Sequence, residues 1–571
     1  MPNELDTMID AAVAGLTGEG GALAATRQSF DFRGGPVELP VIAAAPPNLP
    51  AYFAHFCAQH GDAPFLVSGD ERLSFTQTHD AARRVAEALV GGWGVRPGDR
   101  VGIAARNAPA WIVAYMGILM AGGVAVLLNG WWQGTELADG VSDTGTRLVL
   151  ADGQRAERLK HCPDLDVVAL DVAAPIEHAI APILAKGGAG SALPTIAPTD
   201  LATILFTSGS TGKSKGAVSD HRGVLQGTFA YLMQTLSMLD VMTRRGDAPD
   251  EGTQPATLLN VPLFHITAEV PVMLQSFAMG RKLVLMPRWD AKEAMRLMAA
   301  ERCTYFVGVP LMSYEILVHP DRGDYDLLSV KDFAAGGAPR PVEHVRRLND
   351  EMGGARPILG YGLTETNAVG CGNVGESYLA RPASTGRPFK PMVEVAILDD
   401  AGARMPMGER GEVAIRSSAN FLRYWNNEEA TEAAITPDGF FRTGDLGYLD
   451  DEDYLFIVDR KKDIIIRGGE NIACQEVEAA LYEHAEVAEC AVFGLPEQRL
   501  GEIVGAAIHL HRGSRLDEEE LGEFLSTRLA SFKRPARVWF VADPLPRLGT
   551  EKIDKVTLRS EYRAVVEGEA A

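Results

Sequence analysis

From about Leu49 to Asp459, short apolar runs return again and again between longer stretches of helical periodicity. VGIAA, RLVLA, LATILF, KLVLM, YFVGV and VEVAIL each have strand length, and strands separated by helix-length segments predict stacked α/β layers with substantially parallel sheets. With 571 residues, the chain is too long for one hydrophobic core, so two or more domains are expected. After Asp459 the pattern changes: DRKKD leads into a Gly-Gly turn, a helix expected around Gln475–Glu483, and strands near Val487–Phe493 and Ile503–His509. The reading is therefore an α/β protein in which a large N-terminal domain of stacked α/β layers, 46–459, precedes a small, mobile α+β C-terminal domain, 460–571. Residues 1–45, rich in Ala and Gly without sustained periodicity, read as an N-terminal extension of weak fold content. The join near Asp459–Lys462 is short, as a hinge would be.

Bulk charge narrows the partners. A formal net charge of -22 repels phosphate polymers and anionic lipid, so no nucleic acid partner is expected and any phosphate site has to be local. The cysteines, Cys57, Cys162, Cys303, Cys371, Cys474 and Cys490, lie far apart and form no C-x-x-C pair, which fits a reducing compartment and makes the location cytoplasmic by expectation. The start, MPNELDTMIDAAV, has early acids and no basic stretch before an apolar core, unlike a secretory signal. Ala110–Leu128 carries no charge and has about the length that spans a bilayer. Gly122 and Gly123 split it into WIVAYMGILMA and VAVLL, a buried helix feeding a buried strand, so no integral membrane span is expected.

Directly after ATILF comes FTSGSTGKSKGA, Phe206–Ala217. A strand thus delivers the chain into a loop holding Thr207, Ser208, Gly209, Ser210, Thr211, Gly212 and Lys213, with Lys215 just beyond. Backbone N–H groups, hydroxyls and two lysines together can wrap a polyphosphate. A Walker loop would need glycine where Thr207 stands, so the kinase and ATPase loop does not match. A flexible Gly/Ser linker is the plain alternative, but linkers do not ordinarily abut a buried strand or carry paired lysines.

More motifs follow in order. AAGGAP, Ala334–Pro339, lets backbone come close to a ligand. YGLTET, Tyr361–Thr366, sets an aromatic face beside a hydroxyl and a carboxylate three and four residues on. FRTGDLGYLD places Asp445 after a glycine turn, and PLFHITA holds His265 in an apolar run, where packing is its ordinary role. DRKKDIIIRGGENI spans Asp459–Ile472, and PLPRLGTEKIDK carries Lys552 near the C-terminus.

In this order and at these distances, the motifs resemble those of the adenylate-forming superfamily: acyl-CoA synthetases, aryl-CoA ligases, luciferases and peptide-synthetase adenylation domains. The resemblance covers nearly the whole chain after residue 50. It implies an ATP- and Mg2+-dependent acid-thiol ligase that makes an acyl-adenylate and then passes the acyl group to coenzyme A. By the same resemblance, Gly336, Gly337, Ala338 and Pro339 lie along adenine, Tyr361 stacks on it ahead of Gly362, and Thr364 contacts the α-phosphate. Glu365 coordinates Mg2+, which needs only one or two protein carboxylates. Asp445 and Arg460 hold the ribose, and His265 borders the carboxylate end of the acyl pocket. Lys462 is the pivot, Gly468, Gly469 and Glu470 line the pantetheine tunnel after domain rotation, and Lys552 is the mobile catalytic lysine. Two sites depart from the family pattern: Ala473-Cys474 stands where Tyr-Pro is common, and Glu551 replaces the glycine before the lysine.

The implied chemistry brings two anions together, so it calls for charge neutralisation and alignment and needs no general base. The expected acid is a fatty acid of medium or greater length, because Ala368, Val369 and Gly370 in the candidate lining segments His265–Val270 and Asn367–Gly372 suit an apolar chain. An aromatic or terpenoid-derived acid is the alternative, as is loading of a carrier protein; a homodimer is the family-level expectation.

Overall fold

Residues 110–128 do what the glycine break predicts. Pro109–Met120 is a helix in which every residue is buried, and Val124–Leu127 is a fully buried strand. Among the described residues no helix is long and apolar enough to cross a membrane. The computed structural model describes residues 3–207, 214–248, 252–338, 340–548 and 552–570.

Val124–Leu127 lies in a seven-stranded sheet whose strands Arg100–Ala104, Val124–Leu127, Leu148–Asp152, Asp166–Leu170 and Leu201–Thr207 run parallel. Leu201–Thr207 then pairs antiparallel with Lys215–Asp220. In a second, nine-stranded sheet the strands Ala256–Leu259, Lys282–Leu285, Tyr305–Gly308, Asp332–Gly336 and Arg356–Tyr361 are parallel. One core joins the layers, with Ile103 and Leu127 of the first sheet, Leu283 and Val307 of the second, and Phe229 of the long helix His221–Arg245. Arg100–Ala104, Val124–Leu127 and Leu148–Asp152 are buried on both faces, which is why they read as unbroken apolar runs.

A four-stranded antiparallel sheet follows, built from Val393–Leu398, Gly411–Ser417, Phe441–Leu449 and Leu455–Arg460. Its last strand ends on Arg460, and residues 461–464 lead into the small domain's first strand, Ile465–Arg467. There the helix Cys474–Tyr482 and the strands Val487–Glu497 and Gly501–Leu510 stand close to their predicted places, around a separate core of Val477, Val504, Ile508 and Leu521.

The N-terminal residues differ from expectation. Glu4–Thr17 is a helix capped by the Asn3 side chain, and Ala25–Phe32 and Gly35–Ile42 form a hairpin. Asp6 is buried and accepts hydrogen bonds from Ser377 Oγ and Tyr454 OH, each at 2.7 Å. Gln226 Oε1 accepts from the Ile42 N–H at 2.8 Å. The segment is thus docked on the large domain. Its helix buries only Leu5, Asp6 and Ala12, too sparse a stripe to show as periodicity.

Candidate active site

The parallel strands of the nine-stranded sheet end together. Asp332–Gly336 runs into Gly337 and Ala338, and its neighbour Arg356–Tyr361 runs into Gly362. Gly362 is required sterically, since a Cβ there would stand 1.9 Å from the Ala368 carbonyl oxygen. Tyr361 OH donates to Asp445 Oδ2 at 2.6 Å. Asp445 sits in the strand Phe441–Leu449, opposite Arg460 in register, and the Arg460 Nε lies 3.4 Å from Asp445 Oδ1. The carboxylate is therefore buried between a phenol and a guanidinium. Burial pushes its pKa up, opposed first by the Arg460 charge and then by the Tyr361 hydrogen bond.

Thr364 and Glu365 lie in the single helical turn Thr364–Thr366. Glu365 is buried, and its Oε1 accepts from Tyr424 OH at 2.7 Å. Burial raises its pKa, while that hydrogen bond and the charges of Lys215 and Arg460 pull it down. The Lys215 ammonium stands 4.9 Å from the centre of the Tyr424 ring. Tyr424 went unread in the sequence, where FLRYWNN carries no signal of a carboxylate partner. Of the phosphate loop, Thr207, Ser214 and Lys215 border the cavity; Ser208, Gly209, Ser210, Thr211, Gly212 and Lys213, like Pro339 of AAGGAP, lie outside the described residues.

Lys552 reaches across from the small domain. A Cβ placed on Gly337 would lie 2.9 Å from both Cε and Nζ of Lys552, so the ammonium rests on that glycine. Burial pushes the Lys552 pKa down to about 8, Arg460 adds to this, and Asp445 opposes it. His265 caps the turn Ile266–Ala268, its Nδ1 accepting from the Thr267 N–H at 3.4 Å. Burial, then the Lys552 charge, lowers its pKa to about 3, so the imidazole is neutral. Lys462 also has a lowered pKa, from burial and then Arg460.

These residues converge. Thr207, His265, Gly336, Gly337, Ala338, Tyr361, Gly362, Thr364, Glu365, Asp445, Arg460, Lys462 and Lys552 all border one cavity of about 3510 Å³. Gly468, Gly469 and Glu470 do not; they form a hairpin turn on the small domain, and the Gly468 N–H donates to Leu500 O at 2.7 Å. Positive φ values of 61° and 93° at Gly468 and Gly469 explain the glycine pair.

Residues 53–425 match the AMP-binding enzyme family, and residues 476–552 match the AMP-binding enzyme C-terminal domain. The chain belongs to the AMP-binding enzymes. It is an AMP-forming acyl-CoA ligase, an acid-thiol ligase whose substrates include ATP and coenzyme A, and Mg2+ is the usual metal of the family. The ligase is 31% identical over 538 residues to a 3-[(3aS,4S,7aS)-7a-methyl-1,5-dioxo-octahydro-1H-inden-4-yl]propanoyl:CoA ligase of Rhodococcus jostii, covering 91% of this chain and 99% of that protein. It is 32% identical to a long-chain-fatty-acid–CoA ligase of Bacillus subtilis, over 82% of this chain and 86% of the other. Its fold resembles ATP-bound MatB from Rhodopseudomonas palustris, with a TM-score of 0.78 at 27% identity over 91% of this chain and 99% of that one.

Glu365 suits the family's metal. Among the described residues no group of three or more His, Cys, Asp and Glu side chains forms a metal cage in the ligase. A single carboxylate beside a phosphate site is what Mg2+ needs when phosphate oxygens and water fill its other positions. Away from Lys552, the cavity continues between the helix His221–Arg245 and one face of the nine-stranded sheet, passing Tyr231, Met238, Thr267, Pro271, Val307 and Ile358. Of the lining segments expected from sequence, His265–Thr267, Ala368 and Gly372 border it, whereas Val369 and Gly370 do not. Val369 is fully buried in the core.

Proposed function

We propose that the ligase activates a medium- or long-chain acid whose body lies in the channel under the helix His221–Arg245, and then transfers it to coenzyme A by rotation of the small domain. The observation that carries this reading is the Lys552 ammonium resting on Gly337, in the same cavity as the Tyr361–Asp445–Arg460 cluster, while the Gly468–Gly469 turn stands outside it. That arrangement suits the adenylating half of the cycle.

In this account Tyr361 stacks on adenine along Gly336–Ala338, Asp445 and Arg460 take the ribose hydroxyls, and Thr364 orients the α-phosphate. Lys552 bridges the acid's carboxylate and the α-phosphate. A carboxylate oxygen attacks the α-phosphorus, the bond to the β-phosphate oxygen breaks, and pyrophosphate leaves with that electron pair into the loop 207–215. Glu365 would hold Mg2+, which supplies charge neutralisation for the phosphates. His265, neutral and with Nδ1 engaged, borders the reacting carboxylate and takes no proton. Residues 461–464 then act as the hinge: Lys552 withdraws and the Gly468–Glu470 turn replaces it as one wall of the thiol's path. The thiol sulfur bonds to the acyl carbon, AMP leaves, and the thiol proton passes to solvent.

The acid's class is tested by incubating the protein with ATP, Mg2+, coenzyme A and saturated acids of graded length, reading pyrophosphate release and acyl-CoA by mass spectrometry. Acyl-CoA is expected for medium or longer chains. Turnover confined to short acids would overturn the channel assignment. A ring-bearing, terpenoid-derived acid is the second reading, favoured by the relative named for a bicyclic dioxo acid, which this chain matches over almost its full length.

A further inference from the structure

Side chains alternate along a strand, so residues two apart share a face. Tyr305 and Val307, Asp332 and Ala334, and Arg356 and Ile358 form such pairs, and all of them border the cavity. Tyr305, Asp332 and Arg356 are aligned in register at the far end, and Gly336 and Gly360 are aligned at the nucleotide end. The helix above presents Tyr231, Thr235, Met238 and Met242, spaced four, three and four apart, as one stripe along the same channel. Four residue steps along Asp332–Gly336 set the channel's length at roughly 13 Å, at about 3.3 Å per residue.

At the far level stands Arg281. It directly precedes the strand Lys282–Leu285, is only 5% exposed, and borders the cavity. Its guanidinium lies 4.9 Å from the centre of the Tyr305 ring. Among the described residues, its Nε and Nη1 have no hydrogen-bond partner. The carboxylate at this level, Asp332, is taken by Arg356 through bonds of 2.8 and 3.0 Å. The Gln275 amide N–H groups are used on Tyr231 O and Thr235 Oγ1. The Asp332 charge still acts on Arg281 but gives it no hydrogen bond; a buried guanidinium with two unbonded N–H groups is costly, and an apolar residue would fill this place more favourably in a channel meant only for a hydrocarbon tail.

We propose that Arg281 is a specificity residue that binds a hydrogen-bond-accepting oxygen at the far end of the acid, so that the preferred substrate carries a keto or second carboxylate group remote from the carboxylate that is activated. The inference rests on the acyl channel proposed above. A planar guanidinium suits either acceptor, and a carboxylate would meet it with two parallel bonds. At about 1.3 Å of advance per carbon, for bonds of about 1.5 Å, the channel takes an acid of about ten carbons.

The test compares kcat/KM for decanoic, 9-oxodecanoic and decanedioic acids in the wild type, Arg281→Leu and Arg281→Lys, with acyl-CoA read by mass spectrometry and folding checked by thermal unfolding. The wild type is expected to prefer at least one oxygenated acid over decanoic acid by tenfold or more. Which one it prefers distinguishes a neutral acceptor from a charged one. Arg281→Leu is expected to lower kcat/KM for the oxygenated acids at least tenfold and to raise it for decanoic acid, inverting the preference, whereas Arg281→Lys retains part of it. A wild type that turns over decanoic acid better than both oxygenated acids overturns the inference without any variant, and so does an Arg281→Leu effect that is equal on all three acids. Those failures leave the medium-chain reading intact. Absence of acyl-CoA from all three acids and from the graded series would refute the channel itself.

Discussion

Replacing Lys552 by Met separates what the ammonium costs from what it does. Its pKa falls from 10.5 to about 8, chiefly through burial, which corresponds to about 3 kcal/mol against the charged form. The residue is only partly buried and its ammonium faces the cavity, so screening leaves about 1–3 kcal/mol. The sign follows from proton linkage. Between pH 8 and 10.5 the unfolded chain holds a proton that the folded one has lost, so the penalty is full below pH 8, shrinks through that window and is gone above 10.5. Lys552→Met is therefore expected to melt higher than the wild type at pH 7, with the difference vanishing by about pH 10.5. The same variant should lose adenylate formation by about 100- to 1000-fold, the usual effect of removing one preorganised donor, yet still convert supplied acyl-adenylate to acyl-CoA. In the wild type, kcat/KM for pyrophosphate release should decline above about pH 8 as the free enzyme's ammonium is lost. Differential scanning fluorimetry across pH and the two half-reactions measured separately decide the matter. A variant that melts lower at pH 7, or that forms adenylate within tenfold of the wild type, refutes the placement of this charge.

Three other outcomes follow from the geometry. Tyr361→Phe keeps the ring but removes the donor at 2.6 Å from Asp445, leaving a buried carboxylate short of one bond at about 1–3 kcal/mol; KM for ATP should rise roughly tenfold or more while KM for the acid stays unchanged. Among the described residues no hydrogen bond uses the Lys462 N–H, so proline there breaks none in this arrangement; Lys462→Pro should keep adenylate formation within a few-fold and block thioester formation, read with supplied acyl-adenylate. The Glu269 side chain is fully buried, accepts from Tyr115 OH at 2.6 Å, and has its pKa raised from 4.5 to about 7 by burial, so the folded state gains a proton there and wild-type stability falls as pH rises from about 4.5 to 7. Glu269→Gln removes that loss, and its melting temperature relative to the wild type should climb across the same window.

In the proposed cycle the two half-reactions set contradictory demands on one spot: before adenylate forms, a cation has to stand by the α-phosphate, and afterwards the thiol needs that space. The covalent path between the domains suits that exchange: the strand Leu455–Arg460 keeps the Arg460 guanidinium beside Asp445 in the large domain, and the Lys461 N–H still donates to Gly444 O at 2.8 Å, so in this proposal the turn falls after Lys461.

Much of the site could be read in the chain itself, and the reason is local. Gly336 and Gly337 of AAGGAP, Tyr361, Thr364 and Glu365 of YGLTET, and Thr207 and Lys215 near the ends of FTSGSTGKSKGA border one cavity, and motifs of a few contiguous residues were enough to single them out. The break at Gly122–Gly123 was legible for the same reason. The N-terminal helix was not, because its anchor is a buried Asp6 satisfied by residues more than 370 positions distant.

Pairing over distance belongs to the tertiary structure alone. Tyr361 and Asp445 are 84 residues apart, and Glu365 and Tyr424 are 59 apart; only the packing of separate sheets and turns makes each tyrosine a donor to its carboxylate. Arg281, which nothing in its neighbouring Gly280 and Lys282 marks out, becomes a buried cation only because Tyr305 and the channel wall close over it. Residue types and their order determined the reaction that this chain can run. Which charges lose their water, and with whom they share the loss, was decided by the fold, since desolvation depends on everything packed around a group and on nothing written beside it.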